Sequence, residues 1–211
     1  EELVPDVLSG SSGGAIIAAI CGTHKRDELE EMFTPEFLLA EVRQETGLWE
    51  NLSSIKPRNM SQDKVREVIE RLVPDMTFQE AEQYTGRHVN VSVAPAEKHQ
   101  TSRLLNSVAS PNVYIHDSLL ASAAVPGIYA PVTLMAKNVH GERQPYLPSR
   151  KWVDGSVSDD LPAKRLSRLY GVNHFVVSQT NPIATPFVRD IAADRTLTRI
   201  YRDALQRSGK E

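Results

Sequence analysis

A short stretch rich in glycine and serine, Gly10-Ser11-Ser12-Gly13-Gly14, constrains the fold of this chain more than any other feature. It lies between a strand pattern at residues 6–9 and an apolar run at residues 15–20. In a tight strand-to-helix turn, the flanking glycines remove Cβ atoms that would clash, and the turn holds the hydroxyl of Ser12 away from the backbone. The following helix N-terminus supplies unpaired N–H groups and a positive dipole end. The pattern therefore predicts the geometry of an acyl-transfer nucleophile.

The same five residues also fit a flexible Ser/Gly linker. A linker, however, does not normally lead directly into an apolar helix, and residues 15–20 are all alanine or isoleucine. The apolar run therefore favours the turn.

Helix and strand patterns alternate along the rest of the chain, which predicts an α/β fold. Apolar residues at helical spacing, together with capping residues and helix-ending glycines or prolines, predict helices at 34–47, 61–72, 77–86, 117–124, 162–170 and 189–206. Alternating or short apolar runs predict strands at 89–93, which we expect to be half-buried, and at 131–136, 152–154 and 174–179, with short strands or loops at 103–105 and 113–115.

Composition excludes several classes of protein. The net charge of −3 in 211 residues gives no electrostatic basis for binding nucleic acid. The single cysteine, Cys21, cannot form an intramolecular disulfide. No apolar run is long enough to span a membrane, and no His/Cys cluster has the spacing of metal ligands. We also expect no signal peptide. We expect an intracellular or peripheral membrane protein without a metal or cofactor.

The most distinctive carboxylate is Asp154, in Trp152-Val153-Asp154-Gly155. It lies where a predicted strand ends, and α/β sheets bind their ligands at the carboxyl edge, where Ser12 is also expected. Because a serine hydroxyl is a weak nucleophile until a base takes its proton, Asp154 is the candidate base. Gly155 would let the backbone turn away and leave room beside the acid. Asp-Gly also fits an ordinary turn.

Three motifs together resemble the patatin-like phospholipases. They are Gly10–Ala15, Ala121–Gly127 followed by Pro131-Val132, and Asp154-Gly155, in the order and approximate spacing of that family. The long helical insert before Val89 is most similar to the branch that contains triacylglycerol lipases. The resemblance implies a three-layer, single-domain fold with a central, mostly parallel sheet flanked by helices. It implies a catalytic domain at residues 1–188, truncated at its N-terminus before the family's oxyanion loop, and a C-terminal amphipathic helix at 189–211.

The resemblance also implies roles for individual residues. Ser12 would be the nucleophile and Asp154 its base, without a histidine. Gly10 and Gly14 would shape the turn, the N–H of Gly13 would bind the oxyanion, and Gly155 would support the base. The implied substrates are carboxylic esters of phospholipids or acylglycerols, with no cofactor, and the implied surroundings are a membrane surface or lipid droplet contacted peripherally.

Two alternatives remain open at this point. One is an α/β-hydrolase with a triad of Ser12, Asp154 and His174, which occur in the right chain order. The other is a non-catalytic lipid-binding domain of the same fold. The remaining histidines, at positions 24, 88, 99, 116 and 140, are expected at the surface. The helix predicted near the C-terminus carries arginines on one face, which fits either an anionic membrane or simple packing on the domain.

Overall fold

The computed structural model describes residues 4–34, 61–97, 100–155 and 161–178. The chain divides into two compact units, Glu1–Val172 and Asn173–Glu211. All the helices and strands within the described ranges belong to the first unit. The helices are α1 Gly13–Thr23, α2 Arg26–Met32, α3 Gln62–Leu72, α4 Phe78–Thr85, α5 Ile115–Ser122 and α6 Ala163–Tyr170. The strands are β1 Val7–Gly10, β2 His88–Pro95, β3 Arg103–Leu105, β4 Met135–Lys137, β5 Arg143–Pro145 and β6 Trp152–Asp154.

Local sequence signals determine α3 and α4, and both predicted helices are confirmed. The Ser61 hydroxyl caps α3 by accepting a hydrogen bond from the N–H of Lys64. The apolar residues of α3 that follow at helical spacing are all buried. Thr77 and Glu80 form a capping box at the start of α4, and Gly86 ends it with a φ of 75°.

Strand β2 is the centre of a four-stranded sheet. It pairs with β1 in parallel, and with β3 and β6 in antiparallel orientation. The implied mostly parallel sheet is therefore wrong for the described strands, which form a mixed sheet. A physical reason is visible between β2 and β3: the connection at residues 96–102 is too short for the crossover that a parallel pair needs. Strands β4 and β5 form a separate antiparallel hairpin.

The expectation that β2 is half-buried is also wrong, because residues 89–95 are all buried. Helices α1, α4 and α5 all pack against this strand. Its polar side chains are accommodated by hydrogen bonds. The side-chain amide of Asn90 donates to the carbonyl oxygen of Leu8, and its oxygen accepts from the side chains of Asn106 and Tyr170.

Several other boundaries differ from the prediction. Helix α5 begins at Ile115, so the expected cap, Asp117, lies inside its first turn. The strand predicted at 131–136 is confined to β4, with only an isolated bridge at Val132. Residues 173–178 contain no strand and are exposed, including Val176, so the strand predicted at 174–179 is wrong over its described part. An apolar run can form a strand only where another strand pairs with it, and residues 173–178 have no such pairing within the described ranges. Apart from residue 34, the predicted helix at 34–47 lies outside the described residues, and so does the predicted helix at 189–206.

Helix α2, which the sequence patterns did not predict, continues the chain after α1. The backbone N–H of Lys25 donates to the side chain of Glu28 at 2.5 Å and caps its first turn. Leu29 is its one buried residue, so the apolar periodicity that signals a helix is nearly absent. None of the helices in the described ranges is long and apolar enough to cross a membrane.

Candidate active site

The predicted strand-to-helix turn around Ser12 is confirmed. Strand β1 ends at Gly10 and α1 begins at Gly13, so two residues make the turn. Ser12 has φ 52° and ψ −127°, a conformation that residues with a Cβ rarely adopt and that clusters at functional sites. Gly10 is required for space, because a Cβ there would lie 2.3 Å from the carbonyl carbon of Gly14. The turn brings Ser12 to the N-terminus of α1.

The N-terminus of α1 is suited to stabilising negative charge. Gly13 is the first helical residue, and no acidic side chain occupies the first turn. The N–H groups at such an end have no partners inside the helix, and the dipole adds a partial positive charge. Gly14 differs from Gly10: a Cβ on Gly14 would meet no atom within 4 Å in the described part of the chain. Space therefore does not explain the glycine at this position.

Asp154 ends β6 and is buried, with 3% of its surface exposed. The pairing register shows where it lies relative to β1. Gly10 is opposite Val91 of β2, and Asp154 is opposite Val93. Because β3 occupies the other edge of β2 at both positions, β1 and β6 lie on the same edge and run towards each other. Their carboxyl ends therefore converge, and the segments bearing Ser12 and Asp154 leave the sheet at neighbouring positions.

Gly155 is explained by its closeness to β2. A Cβ on Gly155 would lie 2.7 Å from the carbonyl carbon of Ser92 and 2.7 Å from the nitrogen of Val93. The chain after Asp154 thus passes directly over the β2 backbone, where only glycine fits. Room beside β2, rather than freedom to turn, accounts for this glycine.

Ser122, at the end of α5, joins these segments and was not singled out from the sequence. Its hydroxyl accepts a hydrogen bond from the Ser12 N–H at 2.9 Å and donates one to the Ser92 carbonyl oxygen at 2.8 Å. Two residues further on, the Ala124 carbonyl oxygen accepts from the Asp154 N–H at 3.0 Å. A lone serine in the apolar run Leu119–Val125 was the available signal, because a buried hydroxyl needs partners.

Comparison with known proteins identifies the family. The sequence matches the patatin-like phospholipase family over residues 1–166. The chain belongs to that family. Among its relatives, "Triacylglycerol lipase SDP1L" of Arabidopsis thaliana is 35% identical over 206 residues, which cover 89% of this chain and 25% of the relative. A patatin-like phospholipase domain-containing protein of Pyricularia oryzae is 40% identical over 185 residues, covering 86% of this chain and 24% of the relative.

"Triacylglycerol lipase 4" of Saccharomyces cerevisiae is 37% identical over 202 residues, which cover 89% of this chain and 22% of the relative. The chain thus spans about a quarter of the length of these patatin-like relatives. The family resemblance inferred from the three sequence motifs is confirmed.

The histidines of this patatin-like chain take varied positions. His174 is exposed in the second unit, and its Nδ1 lies 2.7 Å from the side-chain oxygen of its neighbour Asn173. His116 was expected at the surface, but it is buried, and its Nε2 donates to the Val73 carbonyl oxygen at 2.6 Å. That expectation is wrong because α5 begins earlier than predicted and turns this residue inward. His99 lies outside the described residues.

A charged cluster surrounds Asp117, near the opposite end of α5 from Ser122. Burial raises the pKa of the Asp117 carboxyl, although Arg143, Arg66 and His116 act to lower it. Arg143 lies 3.5 Å from this carboxylate and stacks over the ring of Tyr114 at 3.8 Å. The contacts tie the β4–β5 hairpin to α5. Within the described ranges, no group of three or more His, Cys, Asp or Glu side chains could hold a metal ion.

Proposed function

We propose that this chain carries the catalytic dyad of a lipid acyl hydrolase that cleaves carboxylic esters of phospholipids or acylglycerols. The observation that carries the proposal is the backbone of Ser12, held at positive φ at the start of α1. The convergence of β1 and β6 on one edge of β2 supports Asp154 as the partner. The names of the family and of its relatives, phospholipase and triacylglycerol lipase, support esters of lipids as the substrate class.

In the proposed reaction, the Ser12 Oγ attacks the ester carbonyl carbon while Asp154 takes the hydroxyl proton. The oxyanion forms beside the N-terminus of α1, where the Gly13 N–H donates to it. The intermediate then expels an alcohol or lysolipid, which receives the proton from Asp154. A water molecule next gives a proton to Asp154 and attacks the acyl-enzyme. The second tetrahedral intermediate then collapses and releases the fatty acid, while Asp154 returns the proton to the Ser12 Oγ.

The test is covalent labelling with a fluorophosphonate probe, combined with fatty-acid release in the intact protein. We expect the probe to label Ser12, and both labelling and release to disappear in Ser12→Ala. Asp154→Asn should lower turnover by about 10⁴-fold, the scale seen when one member of such a catalytic unit is removed. Circular dichroism of each variant separates loss of chemistry from loss of fold. A folded parent that neither labels nor releases fatty acid, yet sediments with lipid vesicles, would instead be a lipid-binding domain.

His174→Ala distinguishes the dyad from a triad. We expect this variant to keep parental turnover, since the dyad needs no imidazole. Loss of more than about 100-fold in turnover with the fold intact would instead indicate a Ser-Asp-His triad. Phosphatidylcholine vesicles and a triacylglycerol emulsion, assayed side by side, determine which ester class is preferred.

A further inference from the structure

We infer that Ser122 is a positioning residue that holds the Ser12 backbone in its reactive conformation and fixes its position relative to β2. This inference rests on the proposed function. Ser122 is fully buried, with 0% of its surface exposed. A backbone N–H can only donate and a carbonyl oxygen can only accept. The hydroxyl must therefore accept from Ser12 and donate to Ser92, so its proton has a single direction.

The contact to Ser12 falls in a gap of the regular backbone pairing. The β1–β2 ladder ends at Gly10, and Ala15 is the residue whose N–H bonds back to Ser11 and Ser12 at the start of α1. The Ser12 N–H lies between these two hydrogen-bonded systems, and Ser122 supplies its partner. Because a positive φ is strained for serine, surrounding contacts must hold it. The Ser122 hydroxyl is such a contact.

The second hydrogen bond of the Ser122 hydroxyl, to Ser92, lies where strands β1 and β6 converge. Ser92 lies between Val91, which faces Gly10, and Val93, which faces Asp154. The segment that follows α5 also contacts Asp154, because the Ala124 carbonyl oxygen accepts a hydrogen bond from the Asp154 N–H. One short segment of chain thus contacts the backbone of both members of the proposed dyad. Removing the Ser122 hydroxyl should displace Ser12 relative to Asp154 while leaving both reacting groups in the protein.

The experiment compares Ser122→Ala with Ser118→Ala in the intact protein, using a soluble p-nitrophenyl ester. Ser118 is the matched control, because it is a fully buried serine of the same helix whose hydroxyl donates only to the Tyr114 carbonyl one turn earlier. For Ser122→Ala we expect kcat to fall about 10–100-fold with KM within about twofold, since sub-ångström misplacement of a reacting group acts on the chemical step. For Ser118→Ala we expect parental kcat and KM. Equal effects of the two substitutions, or parental kcat in Ser122→Ala, would overturn the inference.

Two further measurements keep the test decisive. Amide hydrogen exchange at Ser12 should accelerate in Ser122→Ala and stay parental in Ser118→Ala, whether or not the protein turns over; parental exchange in Ser122→Ala overturns the inference. If Ser122→Ala fails to fold, Ser122→Cys replaces it, because cysteine has a similar shape and forms weaker hydrogen bonds. Parental kcat in Ser122→Cys would also overturn the inference. A folded parent without fluorophosphonate labelling overturns the proposed function and the kinetic part of this inference. A labelled parent matched by Ser122→Ala in labelling rate overturns the inference alone.

Discussion

Alanine substitutions at two glycines of the strand-to-helix turn should have opposite effects on stability. A Cβ on Gly10 would lie 2.3 Å from the carbonyl carbon and oxygen of Gly14 and 2.5 Å from the nitrogen of Ala15. All three atoms are backbone atoms of the first turn of α1, so no flexible side chain can move aside. A Cβ on Gly14 would meet nothing within 4 Å among the described residues, and Gly14 lies inside the helix.

The magnitudes follow from these contacts. Overpacking in a tight interior typically destabilises by 1–3 kcal/mol, and the rigid neighbours of Gly10 place Gly10→Ala at about 2–4 kcal/mol. For a chain of this size, that corresponds to a decrease in Tm of roughly 5–15 °C. Gly14→Ala should raise the free energy of unfolding by about 0.5–1 kcal/mol, because alanine loses less backbone entropy than glycine in a helix.

Urea unfolding of both variants, followed by far-ultraviolet circular dichroism, measures these differences. The comparison is matched, because each substitution adds one methyl group to the same turn. A Gly10→Ala variant as stable as the parent would show that the end of β1 does not pack as closely against α1 as described. A Gly14→Ala variant destabilised as strongly as Gly10→Ala would show that the turn excludes side chains at both positions.

Three other variants test separate parts of the structure. Gly155→Ala should destabilise by about 1–3 kcal/mol in urea unfolding, because its Cβ would overlap the β2 backbone; parental stability would contradict that contact. Although burial acts against it, hydrogen bonds from Lys137 and Thr77 hold the pKa of Glu80 below its usual 4.5. The difference in free energy of unfolding between the parent and Glu80→Gln should therefore be largest above about pH 5 and decline as the pH falls through the lowered pKa of Glu80. A difference that does not change with pH would contradict this. Because burial raises the pKa of Asp117 above 3.8, the parent should lose stability relative to Asp117→Asn as the pH rises from about 4 towards 7; the opposite trend in pH-dependent thermal unfolding would refute it.

The elements that could be predicted from the sequence depend on neighbouring residues. The capping box of Thr77 and Glu80 and the apolar spacing of α3 act within a few residues, so both helices were predicted correctly. The turn at Ser12 was predicted for the same reason, since its glycines, the strand before it and the helix after it are contiguous. The catalytic roles of Ser12 and Asp154 remain predictions until labelling tests them.

The features that were missed depend on contacts between distant parts of the chain. Alternating valines predicted one buried face for β2, but residues on both faces are buried, and Asn90 forms hydrogen bonds with Leu8 and Asn106. The antiparallel direction of β6 is a property of the sheet, which three residues cannot encode. The role inferred for Ser122 depends on hydrogen bonds to residues 110 and 30 positions away. Periodicity could show that this serine is buried, but not what it contacts.

The glycines beside the two proposed dyad residues are both explained by the close approach of another segment of backbone. Neither Gly10 nor Gly155 has a positive φ, so neither is needed for an unusual turn. Each instead has backbone atoms of another element within 3 Å of its Cβ position. At Gly10 these atoms belong to the first turn of α1, four to five residues further along the chain, and at Gly155 they belong to Ser92 and Val93 of β2. Each glycine is therefore required where the chain leaves its strand, Gly10 by the tight entry into α1 and Gly155 by the passage over β2, so Gly10→Ala and Gly155→Ala test two independent contacts.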